Sequence, residues 1–228
     1  MRSQEPTQST LLYRDREAAG QSLGALLEGY RGKGAVVLGI ADGGVAVAAE
    51  VARSLDADLD VIVARKVRAQ GWPQMVIGAV TADGAQFLDR RLLRVLEVSE
   101  DYLHGVLEEQ RADARSREAN YRGSRPPAAL DGQTVVVVDD GLVTGSTMRA
   151  VVRSAQLRRP VRLIVAIPLG TRDACAILAA EVDELVCPHE LEEIQAVGQH
   201  YGEYDPVDVA TIRQLLDAVH ADRAPALR

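Results

Sequence analysis

The sequence predicts an α/β fold built on a doubly wound, mostly parallel sheet, and three observations support this. Short runs that are apolar at every position recur along the chain, helical patterns alternate with them, and no internal repeat is visible. Wholly apolar strands suit a parallel sheet that helices cover on both faces. Their alternation with helices indicates consecutive βαβ units. A length of 228 residues fits one such core with a small additional segment.

The elements can be placed in chain order. The predicted strands are residues 35–40, 60–64, 134–138, 163–167 and, with a weaker signal, 184–187. The predicted helices are residues 15–29 with Asp15 as N-cap, 45–55, a long polar helix over 99–120, 147–157, 173–180 and 207–219. A hairpin is predicted for residues 77–81 and 86–88 around the turn Asp83-Gly84. We therefore expect a flexible N-terminus (1–10), an α/β core with the inserted hairpin and long helix (11–187), and a C-terminal hood segment and tail (188–228).

Composition restricts the function. Lysine and arginine total 26 against 33 acidic residues, a net charge of −7, which excludes the extended basic face of a general nucleic-acid or anionic-membrane binder. No apolar run is long enough to span a membrane, and residues 1–10 lack the apolar stretch of a signal peptide. Cys175 and Cys187 show no metal-ligand spacing. These features predict a cytoplasmic protein that contacts neither membrane nor nucleic acid.

The segment 135–147, VVVVDDGLVTGST, carries the strongest chemical signal. A buried strand ends in Asp139 and Asp140, and a Thr-Gly-Ser-Thr turn then leads into a helix. Backbone N–H groups, hydroxyls and the positive end of that helix can hold a phosphate. The two carboxylates beside it can accept hydrogen bonds from the vicinal hydroxyls of a sugar. Together these groups are suited to a ribose 5-phosphate.

In this segment the sequence resembles the type I phosphoribosyltransferases, whose signature is a hydrophobic strand, two acidic residues, a short spacer and Thr-Gly followed by a small or hydroxyl residue. The resemblance implies that Asp139 and Asp140 are the catalytic pair that holds the ribose hydroxyls of phosphoribosyl pyrophosphate (PRPP). It also assigns the 5-phosphate to the loop that contains Gly141, Thr144, Gly145, Ser146 and Thr147. Mg²⁺ is the implied cofactor, held by substrate oxygens and water more than by protein ligands.

Other loops at the same edge of the sheet fit this assignment, since ligands of open parallel sheets bind beyond the carboxyl ends of strands. Asp42, Gly43 and Gly44 follow the first strand and correspond to a pyrophosphate loop, where glycine lets the backbone approach an anion. Arg65, Lys66 and Arg68 follow the second strand and are candidate pyrophosphate contacts. Residues 69–75, with a glycine and a proline, could form a flap over the site.

The resemblance extends to a subfamily of predicted phosphoribosyltransferases of unassigned substrate, through stretches that include 77–80, 121–127 and 196–199. Two positions depart from its pattern: Asp42 stands where an arginine is usual, and Gln195 where an aromatic residue is usual. Val143 stands where 6-oxopurine enzymes of the superfamily have an aspartate that handles a base proton. This counts against a hypoxanthine–guanine enzyme. The resemblance also implies a homodimer.

Three functions remain open at this stage. The first is a Mg²⁺-dependent phosphoribosyltransferase that uses PRPP, releases pyrophosphate and acts on a small-molecule acceptor, with His189 or His200 as candidate general bases in the hood. The second is a PRPP- or nucleotide-binding regulatory protein that has lost turnover, motivated by Asp42 and Gln195. The third, much weaker, is a receiver-like phosphoacceptor, since receiver domains also carry paired aspartates after a strand.

Overall fold

The structure, a computed structural model, describes residues 11–223, so the N-terminal segment predicted to be flexible and the last five residues of the predicted tail lie outside it. Within this range the strands are β1 (Val36–Ile40), β2 (Asp58–Ile62), β3 (Ala64–Ala69), β4 (Trp72–Thr81), β5 (Gln86–Leu88), β6 (Thr134–Val138), β7 (Arg162–Ala166), β8 (Leu169–Thr171), β9 (Glu184–Val186) and β10 (His189–Leu191). The α-helices are α1 (Arg16–Leu26), α2 (Gly43–Leu55), α3 (Arg90–Val95), α4 (Glu100–Arg122), α5 (Ser146–Leu157), α6 (Arg172–Ala179) and α7 (Val209–Arg223), with 3₁₀ turns at Glu28–Tyr30 and Val197–His200.

The central sheet has five parallel strands in the order β2-β1-β6-β7-β9. The chain runs from β1 through α2 outward to β2, and from β6 through α5 and α6 outward in the opposite direction to β7 and β9. The direction of winding therefore reverses between the neighbouring strands β1 and β6. In open α/β sheets the crevice beyond such a reversal is the usual place for a ligand.

Both faces of the sheet are buried, which confirms the predicted doubly wound α/β fold. Strand β6 illustrates the pattern, since Val135 and Val137 pack into one core while Val136 and Val138 pack into another. The first core includes α5 and α6, and the second includes α1, α2 and α7. An apolar residue at every strand position is thus explained by two helical layers, one on each side.

A separate antiparallel sheet, β3-β4-β5, extends from the end of β2. It confirms the predicted hairpin around Asp83-Gly84 but corrects one expectation. The basic run 65–68 is not a loop, because it lies in β3 and alternates between buried and more exposed positions. Residues 69–75 form the tip of the β3–β4 hairpin, where Gly71 has a φ of +75° and turns the chain into β4, which begins at Trp72; their predicted role as a flap stays a prediction.

The long helix α4 packs across β3 and β4 and then connects to the central sheet. Ser99 caps its first turn, and the helix ends before Gly123. Arg122 ties this end of α4 to β2 through Asp60, with 2.8 Å between the guanidinium Nε and the carboxylate Oδ1. Asp60 also accepts the N–H of Ala128 at 2.9 Å. Asp60 thus holds both ends of the segment 123–127 against β2.

The hood is assembled from separated parts of the chain. Strands β8 and β10 pair in parallel, and Tyr13 bridges to Tyr201. Tyr13 and Tyr201 share a small core with Leu169 and Ile194. The hood thus combines the start of the described chain, the segment after β7 and the segment after β9. Among the helices of residues 11–223, none is both long and apolar enough to cross a membrane.

Candidate active site

A cavity of about 770 Å³ lies at the carboxyl ends of β1 and β6, at the reversal of the winding. It brings together residues from both halves of the sheet and from the hood. The predicted site residues that line it are Asp42, Gly43, Arg65, Lys66, Asp139, Asp140, Gly141, Thr144, Gly145, Ser146 and Thr147. Gly44, also assigned to the pyrophosphate loop, is not part of the lining and packs behind Asp139.

The loop between β6 and α5 has the features of an anion site. Gly145 occupies the N-cap position of α5 with a φ of +76°, and no side chain caps the helix. Within residues 11–223 the hydroxyls of Thr144, Ser146 and Thr147 make no hydrogen bond to the protein. The first N–H groups of α5 and these hydroxyls are therefore available to an anion, where the helix dipole adds to the attraction.

The loop between β1 and α2 presents a second helix start to the same cavity. The side chain of Asp42, at the N-cap position, does not cap α2, and the Ala41–Asp42 peptide bond is cis. The carboxylate of Asp42 instead accepts a hydrogen bond of 2.5 Å from the hydroxyl of Tyr121. The acid that replaces the usual arginine thus has a partner on α4.

Gly43 and Gly44 lie against the two aspartates. A Cβ atom on Gly43 would lie 2.0 Å from Oδ2 of Asp140, and one on Gly44 would lie 2.8 Å from Oδ1 of Asp139. Real Cβ atoms do not come this close to other heavy atoms. The glycines are therefore required for packing of the β1–α2 loop against the acidic pair, whether or not an anion approaches their backbone.

The two aspartates have different surroundings. Burial raises the pKa of Asp139 well above its usual range, and the neighbouring charge of Asp140 raises it further. A hydrogen bond from the backbone of Asp140 and the charges of Lys66 and Arg16 oppose this rise. Asp140 is 9% exposed, and its Oδ2 accepts hydrogen bonds from Arg16 Nε and from the Tyr204 hydroxyl, each at 2.9 Å.

Arg16 and Tyr204 are site residues that the sequence analysis missed. The guanidinium of Arg16 lies over the Tyr204 ring, 3.8 Å from its centroid, and also donates to the carbonyl of Asp205 at 2.8 Å. Burial raises the pKa of the Tyr204 phenol, which keeps the hydroxyl protonated as a donor. Arg16 follows a recognisable N-cap, but nothing in the local pattern of either residue points to Asp140. Tyr201 adds a hydrogen bond of 2.7 Å to the Asp140 carbonyl.

The predicted cations differ in their availability. Arg65 is paired with Asp113 of α4 at 2.6 Å, and Arg68 donates to the carbonyl of Pro73 at 2.6 Å. Lys66 is exposed and has no ion pair within the described range. Lys66 is therefore the cation most readily offered to a ligand.

The remaining candidate positions lie at the rim or outside the cavity. Val143 is part of the lining, with its side chain exposed. His189, His200 and Gln195 are not part of the lining; His189 packs edge-on to the ring of Tyr13 and His200 is buried in the hood. Gln195 itself thus lies outside the lining, whereas Val197 of the same segment is part of it. In residues 11–223, no group of three or more histidine, cysteine or acidic side chains is arranged to hold a metal ion.

Comparison with known proteins agrees with this geometry. The family model "Phosphoribosyl transferase domain" matches residues 14–195. A Mycobacterium tuberculosis protein that is provisionally named a phosphoribosyl transferase is 35% identical over 215 residues, which is 94% of this chain and 48% of that protein. The "Bifunctional protein PyrR" of Brevibacillus brevis is 28% identical over 158 residues, covering 65% of this chain and 86% of that protein.

A solved structure shows the same fold. The crystal structure of TT1426 from Thermus thermophilus matches with a TM-score of 0.76 and 37% identity, covering 90% of this chain and 97% of that one. The chain spans about half the length of the Mycobacterium tuberculosis relative. Because the family model spans residues 14–195, well over half of the chain, the chain belongs to the phosphoribosyl transferase domain family.

Proposed function

We propose that the protein binds PRPP in the 770 Å³ cavity and transfers its phosphoribosyl group to a small-molecule acceptor, with Mg²⁺ as cofactor and pyrophosphate as product. The observation that carries this proposal is the start of α5. An uncapped helix with three hydroxyls that make no hydrogen bond within residues 11–223 lies next to a pair of aspartates. Phosphate and diol recognition on one loop is the requirement of a ribose 5-phosphate.

In this arrangement the parts of PRPP occupy separate walls of the cavity. The 5-phosphate binds the N–H groups and hydroxyls of residues 144–147, and the ribose hydroxyls bind the carboxylates of Asp139 and Asp140. The pyrophosphate binds at the start of α2, where Lys66 supplies positive charge. Arg65 can contribute once it shifts from Asp113, since a polyanion offers it a stronger partner.

The reaction breaks the bond between C1 of the ribose and the pyrophosphate oxygen, and forms a bond from C1 to the acceptor. Its transition state is an electron-poor, oxocarbenium-like sugar. The protein acts mainly by positioning the sugar and by stabilising charge. An Mg²⁺ ion would supply charge neutralisation at the leaving pyrophosphate; substrate oxygens and water would hold it for the most part, and Asp139 would be the carboxylate of the cavity lining available to it.

The hood side of the cavity indicates the character of the acceptor. Val143, Val197 and Val207 line it together with Tyr204 and Pro206, so the wall is apolar except for the phenol. Val143 cannot exchange a proton with a purine. We therefore propose an acceptor other than a 6-oxopurine.

A binding protein without turnover is the second candidate, and the contacts of Asp140 favour it. Its Oδ2 is already held by Arg16 and Tyr204, so a ribose hydroxyl must use the other oxygen or displace one of these donors. Such a site would bind PRPP but would not place its ribose in the geometry needed for transfer.

Calorimetric titration with Mg²⁺–PRPP tests both candidates. We expect binding by the unmodified protein and a loss of about tenfold or more in affinity for Thr147→Ala, because a hydrogen bond to a charged phosphate is removed. Ser116→Ala, which removes an exposed hydroxyl from α4, is the matched control and should bind normally. Release of pyrophosphate across an acceptor panel then separates an enzyme from a binding protein. Absence of PRPP binding by the unmodified protein would refute both.

A further inference from the structure

Asp42 is an electrostatic problem for any anion bound at the start of α2. It is exposed, lines the cavity and carries a negative charge at the end that receives the pyrophosphate. A free carboxylate there would repel a polyanion. The structure directs this carboxylate toward Tyr121, whose hydroxyl donates to Asp42 Oδ1 at 2.5 Å. The rest of the Tyr121 side chain is in the core, and the residue is 2% exposed.

Tyr121 also interacts with a charged group on its own helix. Arg117 lowers the pKa of the Tyr121 phenol, and Asp113 accepts a hydrogen bond from Arg117 Nε at 3.0 Å. The same Asp113 oxygen pairs with Arg65 at 2.6 Å. Residues 113, 117 and 121 are spaced by four, so they share one face of α4. This face therefore connects the two segments assigned to pyrophosphate, the β1–α2 loop through Asp42 and strand β3 through Arg65.

We propose that Tyr121 is a positioning residue that holds the Asp42 carboxylate against α4 and away from the bound pyrophosphate. The proposal rests on the proposed function, because it concerns the pyrophosphate end of the same site. It explains how an acid can occupy the usual position of an arginine without preventing anion binding. It also gives a role to the first residue of the 121–127 stretch.

The link between Asp42 and Tyr121 can be observed without any ligand. Burial raises the pKa of the Tyr121 phenol, and the hydrogen bond to Asp42 and its negative charge raise it further, while Arg117 opposes the rise. Replacing Asp42 by asparagine should therefore lower the pKa of Tyr121. Ultraviolet titration at the phenolate band measures this shift, with the same titration of a Tyr121→Phe variant subtracted to remove the other tyrosines.

The functional test compares Asp42→Asn, Tyr121→Phe and the double variant by calorimetric titration with Mg²⁺–PRPP. Tyr121→Phe should weaken binding by about tenfold, because it releases a carboxylate toward the pyrophosphate. Asp42→Asn alone should bind at least as well as the unmodified protein. The double variant should recover the lost affinity, since no charge remains to be positioned. Recovery distinguishes positioning from simple damage to the fold.

Tyr30→Phe is the matched control, because it removes an equally short phenol–carboxylate hydrogen bond, 2.5 Å to Glu184, at the opposite edge of the sheet. It should leave PRPP affinity unchanged. Equal affinity of Tyr121→Phe and the unmodified protein would overturn the inference, as would a double variant as weak as Tyr121→Phe. An unchanged Tyr121 pKa in Asp42→Asn would also overturn it. If the unmodified protein binds no PRPP, the proposed function fails, and the ultraviolet titration still decides whether Asp42 and Tyr121 are coupled.

Discussion

Replacing Gly43 by alanine should destabilise the folded protein, because the space that a methyl group needs is already filled. The new Cβ would lie 2.0 Å from Asp140 Oδ2 and 2.8 Å from Arg16 Nε. Nonbonded heavy atoms prefer about 3.5 Å, so the carboxylate would have to retreat by about 1.5 Å. Its hydrogen bonds to Arg16 and Tyr204, both 2.9 Å long, would not survive that movement unchanged.

The magnitude follows from these contacts. Overpacking typically costs about 1–3 kcal/mol, and a weakened hydrogen bond to a buried charged group costs about 1.5–3 kcal/mol. The side chains of Arg16 and Asp140 are each 12% exposed, so water can replace little of what is lost. Allowing for partial relaxation of the loop, we expect the free energy of unfolding to fall by about 3 kcal/mol.

Urea denaturation followed by circular dichroism measures this change as a lower transition midpoint, by about 1 M for a slope near 3 kcal/mol/M. Gly105→Ala is the control, because Gly105 is an exposed glycine inside α4 with no atom within 4 Å of its Cβ position. Alanine should stabilise that helix by about 0.5–1 kcal/mol. The two substitutions are chemically identical but should act in opposite directions.

A Gly43→Ala protein as stable as the unmodified one would refute the reasoning. If that variant also lost PRPP binding, Gly43 would be required only so that a ligand can approach the backbone. Its close packing against Asp140 would then contribute nothing to the stability of the fold.

Three further predictions concern charged groups. The pKa of Asp139 is raised in the folded state, so the unmodified protein should lose stability as the pH rises from the unfolded-state pKa near 3.8 through the folded-state pKa. Asp139→Asn should remove this loss and be more stable than the unmodified protein at neutral pH, as measured by urea denaturation over a pH series. Arg122→Met should lower the free energy of unfolding by about 3–5 kcal/mol, because it leaves Asp60 buried without its ion-pair partner. The control is Arg159→Met, which removes an exposed ion pair and should leave the denaturation midpoint unchanged. Tyr204→Phe should lower the free energy of unfolding by about 1 kcal/mol in the same assay, because one hydrogen bond to Asp140 is lost. If Tyr204 competes with the sugar for Asp140, this variant should bind Mg²⁺–PRPP more tightly. Weaker binding would instead indicate that the phenol helps to hold the substrate.

Much of the fold could be predicted because its signals are local. Apolar strands such as 134–138 reveal burial on both faces, and Ser99 and Asp15 mark helix starts through their own hydrogen bonds. The basic run at 65–68 was predicted to be a loop, but it lies in β3. No sequence pattern marks the point where the chain leaves the central sheet at the end of β2 and enters the second sheet. The pairing of β3 with β4 joins residues from Ala69–Trp72 out to Ala64–Thr81 and shifts register after Val67, which periodicity does not report.

The sequence by itself determined the chemistry of the β6–α5 loop, because a strand, two acids and a Thr-Gly-Ser-Thr turn are consecutive and their geometry follows from the backbone alone. Tertiary structure alone decided what surrounds that loop. Arg16 and Tyr204 reach Asp140 across 124 and 64 residues of chain, and Tyr121 reaches Asp42 across 79. These contacts depend on how α1, α4 and the hood pack around the sheet, and side-chain contacts between distant elements leave no periodic trace in the sequence.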